Sequence, residues 1–298
     1  MSYKNLHLLK FSGSVVFSLI LLFLCIVGIA ALPYLLLKGT IIGFYPKEYL
    51  NTYLAIAQNV FTVFDGNVLL YTGEVPFMKL VPPLYQYSMI VLFSSIAITM
   101  MISFTGSYLY VISSSKIQKW IKNILSVTEA IPDIFFIFVL QYGVIILLKT
   151  TGIKLFQVYG VQSNVYFTPI LCLSIVPVFL LTRMMITIFD EEKEKPYVDF
   201  ALSKGLSQTE VFFNHILRNS ILSIAHYFNI LYWSMLSSLI IIEFLFQMNG
   251  FTSIMQKSYQ PEMIAVSIFL FMLPYGFLYF FAKFFSILLF GRINYEEK

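Results

Sequence analysis

Three carboxylates interrupt otherwise apolar sequence, and a carboxylate in such surroundings must be paired, protonated or turned toward water. Glu243 stands inside the run Ile-Ile-Ile-Glu-Phe-Leu-Phe of residues 240–246, and Glu129 and Asp133, flanking Pro132, lie four apart and so share a helix face. Such groups could line a polar path through a membrane or relay protons. They could also reach a nearby boundary: Glu129 and Asp133 toward the basic cluster Lys116, Lys119 and Lys122, and Glu243 toward the water interface a few residues on. No bond-making machinery accompanies them. His7, His215 and His226 are far apart, with no spacing suited to a metal site or a catalytic dyad. No G-x-x-x-x-G-K-[ST] loop is present, so the chain is expected to hold no nucleotide, cofactor or metal of its own. Cys25 and Cys172 fall in apolar stretches and suggest neither a disulfide framework nor a metal pair.

The densest patterning is a polar insert, DEEKEKPYVDFALSKGLSQTEVFFNHILRN, at residues 190–219. Pro196 can open a short helix where a missing N–H costs nothing, and Gly205 ends it. Ser207-Gln208-Thr209-Glu210 reads as a capping box at the start of a second helix, continued by Val211, Phe212 and Phe213. A helix, a glycine elbow and a second helix make an element suited to being gripped by another protein. Lys204, Glu210 and an apolar face of Leu206, Val211, Phe212 and Ile216 are the expected docking surface, with burial giving affinity and charge giving register. The alternative is an amphipathic helix lying in the inner leaflet with Phe212 and Phe213 in lipid. The run 190–195 reads as a solvated charge cluster at a helix end.

These residues must be positioned by membrane helices. Of 298 residues, 59% are hydrophobic and only 11% charged, with a mean hydropathy of +0.82. A soluble domain carries about a quarter charged residues, so the expected fold class is an all-α polytopic membrane protein. Apolar stretches long enough to span about 30 Å of hydrocarbon fall near residues 11–37, 84–112, 124–148, 166–189, 220–246 and 263–290. With both termini in the cytoplasm, 13 of the 19 basic residues lie inside, leaving Lys38, Lys47, Lys79, Lys149, Lys154 and Lys257 outside. The net charge of +4 thereby reflects topology, and nucleic-acid binding is not expected. Secretory signal cores run about 7–15 residues, which makes the first stretch too long to be one. The chain reads as a single domain, 1–298, with a long outer loop at 38–83 rich in Tyr and Phe and turn signals at Asp65-Gly66 and Thr72-Gly73. Pro132, Pro177 and Pro274 can bend the helices that hold them.

The insert resembles the cytoplasmic loop of ABC importer permeases, where Glu-Ala-Ala, three residues and Gly precede a hydrophobic tail. Asp199-Phe200-Ala201 and Gly205 occupy those places. The likeness is greater to the oligopeptide and dipeptide permeases, which read Tyr-Val, then Ala-x-x-Lys-Gly-Leu-Ser, then His-x-Leu-Arg-Asn. Tyr197, Val198, Ala201, Lys204, Gly205, Leu206, Ser207, His215, Leu217, Arg218 and Asn219 match in order and register. Glu243, Phe246 and Gly250 reproduce a Glu-Phe-Gly run of the same permeases, and Pro169, Arg183 and the closing Gly291-Arg292-Ile293 agree too. Asp199 and Phe200 depart from Glu-Ala, and Ser223 stands where a proline is usual.

The resemblance implies a type I ABC importer permease fold with six spans, half of a pore completed by a second homologous permease in the cell membrane of a prokaryote. It implies ATP-binding cassette subunits, which hold ATP and Mg, docked on 197–219 through Asp199, Ala201, Lys204, Gly205, Leu206, Ser207, Glu210, Val211, Phe212, His215 and Arg218. It also implies an extracytoplasmic solute-binding protein and a cargo of oligopeptides or dipeptides, with nickel chelates, opines or other small solutes as alternatives. Glu243, Glu129 and Asp133 are the translocation-path candidates. A rival reading is an ion- or proton-coupled secondary transporter using those three as its relay, although no internal repeat accompanies it. A membrane-embedded enzyme would need His and carboxylates clustered at one depth, which the sequence lacks.

Overall fold

Long apolar sequence in a bilayer has one way to satisfy its backbone, which is to coil. A computed structural model describes residues 17, 20–39, 41–71, 73–128, 132–152, 165–258 and 260–290, and these are mostly helical. Among the described residues, three helices are long and apolar enough to cross a membrane: α4 (Phe77–Ile112), α7 (Phe167–Lys193) and the continuous run Gln208–Leu245, whose main part is α10 (Leu217–Leu245). They coincide with the expected second, fourth and fifth spans. Two shorter apolar helices are α1 (Ile20–Ala31) and the first part, Pro261–Gly276, of α12 (Pro261–Phe290). The third expected span differs at its start. Residues 124–128 belong to an amphipathic helix, α5 (Ser115–Thr128), and the apolar helix that follows, α6, covers Asp133–Thr151. Pro132 at that junction cannot donate to a continuous helix.

The chain folds as two compact units. One comprises residues 1–84 and 251–298. Here the expected long loop holds structure: a four-residue helix α2 (Pro33–Leu36), the pair β1 (Leu37–Lys38) and β2 (Ile41–Ile42), and α3 (Pro46–Asn59). A hairpin of β3 (Asn67–Leu70) and β4 (Gly73–Pro76) follows, and α4 begins at Phe77, within the stretch expected to be loop. The hairpin is sealed against the chain's return segment. Leu69 N donates to Gln260 Oε1 at 2.9 Å and Tyr71 N to the Lys257 carbonyl at 3.1 Å, next to the short helix α11 (Thr252–Lys257). Phe64 meets Phe77 edge-on at 5.0 Å, and Lys38 pairs with Glu48 at 2.6 Å.

The second unit, residues 85–250, is organised by α7. Lipid gives apolar helices little reason to prefer one another, so contact depends on close approach and hydrogen bonds. On α4, Ser88, Ser95, Thr99, Ser103 and Ser107 fall at intervals of seven and four, and all are buried. Ser95 Oγ donates to the Ile170 carbonyl at 3.3 Å, Ser103 Oγ to the Val178 carbonyl at 3.1 Å, and Ser174 Oγ returns a bond to the Ser95 carbonyl at 3.4 Å. Ser95 and Ser174 also bond within their own helices, to the carbonyls four residues back. On α10, Leu231, Met235, Leu239 and Ile242 form a buried line, and α10 packs along α7. The chain entering α7 is fixed from α4, where Tyr87 Oη donates to the Val165 carbonyl at 2.6 Å and accepts from Val165 N at 3.0 Å.

Replacing Ser103 with leucine puts branched bulk where α4 and α7 touch, an overpacking that costs about 1–3 kcal/mol. The thermal midpoint of the detergent-solubilised protein should fall. Ser103→Ala should fall much less, because a hydroxyl bond between membrane helices contributes about 0.6 kcal/mol on average. Equal losses would show that the hydroxyl, and not the small volume, holds the pair.

Candidate functional site

The polar segment between α7 and α10 is held at its base by groups that its sequence presents as a solvated charge run. Glu192 is buried and takes three partners. Lys195 Nζ lies 2.7 Å from its Oε2, Tyr197 Oη donates to its Oε1 at 2.5 Å, and the Asn219 side chain bonds to both Glu192 and Tyr197. Burial, and then the bond to Glu192, push the Tyr197 phenol above its ordinary range. One carboxylate therefore joins the end of α7, the start of the next helix and the start of α10. Asp190 faces elsewhere. It accepts from Tyr110 Oη at 2.8 Å and pairs with Lys122 at 2.9 Å, and these bonds to Asp190 and Tyr110 raise the Lys122 ammonium above its usual pKa. Lys193 Nζ reaches the Val111 carbonyl at 2.9 Å. The run is thus spent on α4, α5 and its own loop, because the partners come from helices distant in sequence.

The elbow forms as its residues dictate. α8 (Pro196–Ser203) opens on Pro196 and ends in a Schellman turn, in which Gly205 N donates to the Leu202 carbonyl at 2.9 Å and Leu206 N to the Ala201 carbonyl at 3.4 Å. Gly205 sits at φ +86°, in the left-handed region that favours glycine. Ser207 then caps α9 (Gln208–Val211): its Oγ accepts from Glu210 N at 3.3 Å, while Glu210 Oε2 accepts from Ser207 N at 2.8 Å. Between α9 and α10 the backbone makes one π turn, Phe212–Ile216, a feature for which the sequence carried no signal.

The expected docking residues divide into two sets. Ala201, Val211 and Phe212 are buried, as is Ile216, so the apolar face expected to meet a partner is turned into the chain's own helices. Phe212 is 0% exposed, with its ring 5.1 Å from both Tyr108 and Phe189 and 6.4 Å from Phe104. It plugs the second leg of the elbow onto α4 and α7. Hydrophobic pattern alone does not distinguish a face for a partner from one for the chain's own core. Outward lie Asp199, Lys204, Gly205, Ser207, Glu210 and Arg218, with Leu206 and His215 half-buried. Phe200 is 62% exposed, and Lys204 Nζ stands 4.4 Å over its ring. Leu202 and Phe213 are exposed as well.

Glu243 is 2% exposed near the end of α10 and accepts from the Ser88 hydroxyl of α4. Its backbone carbonyl accepts from Met248 N at 2.9 Å as the helix ends, with Gln247 at φ +48°. A Cβ at Gly250 would collide with the Glu243 carboxylate, so this glycine lets the chain close over the acid. Glu129 lies outside the described residues. Asp133 opens α6, but its side chain is outside them too.

Glu192→Ala leaves Lys195, Tyr197 and Asn219 without their common acceptor, and hydrogen bonds to a charged group are worth about 1.5–3 kcal/mol. Trypsin should then cut faster at Lys204 in membrane-embedded protein, and unchanged cleavage would show that the carboxylate does not hold the loop. Ser88→Ala and Gly250→Ala both act on the Glu243 carboxylate, so their thermal destabilisations should depart from additivity by about 0.5 kcal/mol or more. Simple addition would place the two residues in separate environments.

The comparisons with known proteins bear on the same region. No curated protein matches the chain. Residues 102–294 match the family model of the binding-protein-dependent transport system inner membrane component, a stretch that takes in α5 to α10 and the whole elbow. The match covers well over half of the 298 residues, and the chain belongs to this family of membrane permease components of ABC transporters.

Proposed function

We propose that this chain forms half of the translocation pore of an ATP-driven importer and that the elbow at residues 197–219 is where ATP-binding subunits dock. The observation that carries the reading is the contrast within the elbow. Its base is tied by Glu192 and plugged by Phe212, while its tip, fixed by a Schellman turn and a capping box, presents Phe200 with Lys204 over it. A rigid exposed tip on an anchored base transmits a push. An exposed aromatic with a cation over its face has the chemistry of an interface hot spot. In this reading the contact residues are Asp199, Phe200, Leu202, Lys204, Gly205, Ser207 and Glu210, while Ala201, Val211 and Phe212 hold the tip in place.

The remaining parts of the proposal follow from the resemblance. Six spans place both termini and the elbow in the cytoplasm. A second homologous permease completes the pore, a solute-binding protein delivers cargo from outside, and ATP and Mg are held by the partner subunits. Oligopeptides or dipeptides are the cargo, carried through a path that few charges line. Glu243, held by Ser88, serves to join α10 to α4.

The test is purification of the tagged chain in mild detergent, with identification of co-purifying chains and an ATPase assay. ATP-binding subunits and a second permease should be recovered. Phe200→Ala should weaken the ATP-binding subunits' hold by about 2 kcal/mol, near 30-fold, and leave the second permease bound. Gly205→Val should do the same by straining the elbow, since left-handed backbone costs a non-glycine residue about 1–2 kcal/mol. A chain that purifies alone, without ATPase activity, overturns the reading.

A further inference from the structure

α5 has an outward face that the elbow does not use. Its inward face carries Gln118, whose Nε2 donates to the Tyr110 carbonyl at 3.1 Å, together with Ile121 and the buried Leu125. On a second face, Ile117, Trp120, Ile124 and Val127 recur at intervals of three and four, and all are exposed, Trp120 at 65% and Val127 at 63%. Lys116 and Lys119 are exposed and border this stripe, Lys122 is engaged by Asp190, and no Asp or Glu occurs in Ser115–Thr128.

The position of the helix says what covers that stripe. α4, apolar and long enough to span, ends at Ile112 with only two residues between it and α5, and apolar α6 starts at Asp133. A helix tethered at both ends to apolar helices is held where hydrocarbon gives way to headgroups. Tryptophan is favoured at that level, and an apolar stripe with a cationic rim has the composition of a helix lying in the plane of the interface. The rim is of one sign only, which matches anionic phospholipid and not a neutral surface.

We propose that α5 is an interfacial anchor that sinks Ile117, Trp120, Ile124 and Val127 to the acyl boundary and binds anionic phospholipid headgroups through Lys116 and Lys119. Through the Lys122–Asp190 pair and the Gln118–Tyr110 bond, the anchor fixes the depth of the ends of α4 and α7. The proposal requires only that the chain resides in a membrane and stands apart from the docking of ATP-binding subunits.

The chain contains two tryptophans, so full-length protein carrying Trp233→Phe reports on Trp120 alone. It would be reconstituted in vesicles containing equal mole fractions of dibrominated phosphatidylcholine or dibrominated phosphatidylglycerol. Both lipids should quench Trp120, the anionic one more strongly, since each lysine near a charged bilayer surface adds about 1 kcal/mol, or about fivefold in association. Adding K116Q and K119Q should abolish the difference and preserve quenching by the neutral lipid. Equal quenching by the two lipids in the parent protein would overturn the anionic selectivity. Quenching by aqueous iodide instead of lipid, or shielding from both lipids by a second protein chain, would overturn the anchor itself.

Discussion

In the unit of residues 85–250, the rest of the structure depends on how closely α4 approaches α7. Hydrocarbon surrounds both helices and offers no gain for pressing one apolar surface on another, so contact rests on dispersion at short range and on hydroxyl bonds. Serines and a threonine at intervals of seven and four supply the short range. Ser95, Ser103 and Ser174 supply bonds to backbone carbonyls across the seam. Because the stripe runs the length of the contact, it sets the axial register of the two helices as well as their spacing. Phe104, Tyr108, Tyr110 and Val111 then arrive where Phe212, Asp190 and Lys193 need them.

From that register the order passes outward by charge. Asp190 and Lys193 bind back to α4 and α5, whereas Glu192, on the same helix end, binds forward to Lys195, Tyr197 and Asn219. Neighbouring residues on a helix point about 100° apart, so an acidic run can address different elements with successive side chains. The consequence for the elbow is a fixed root. Any load on its tip reaches α7 and α10 together, since both meet at one carboxylate.

What the sequence made legible was whatever local backbone rules govern. Pro196, Gly205 and the Ser207–Glu210 box each act within four residues, and the elbow they predict is the one observed. The second, fourth and fifth expected spans coincide with long apolar helices for a similar reason, since hydropathy is a property of the segment itself. Orientation was less legible. Val211, Phe212 and Ile216 read equally well as a face for a partner and a face for the core, and only α4 and α7, both well upstream in the chain, decide the matter. The same holds for 190–195, whose partners Lys122 and Tyr110 are distant in the chain. The polar stripe of α4 leaves little mark on a hydropathy profile, because serine and threonine barely disturb an apolar average.

The π turn at Phe212–Ile216 gives the elbow a heading. One residue more than an α-helical turn requires has been taken into the helix there, which rotates everything on its N-terminal side by about 100° relative to α10. The direction in which the tip faces is accordingly a matter of how that one turn is wound and not of composition. Wound as continuous α-helix, the same residues would swing Phe200 and Lys204 to a new compass bearing, whereas deleting a single residue in the turn would close it to an α turn and keep the bearing.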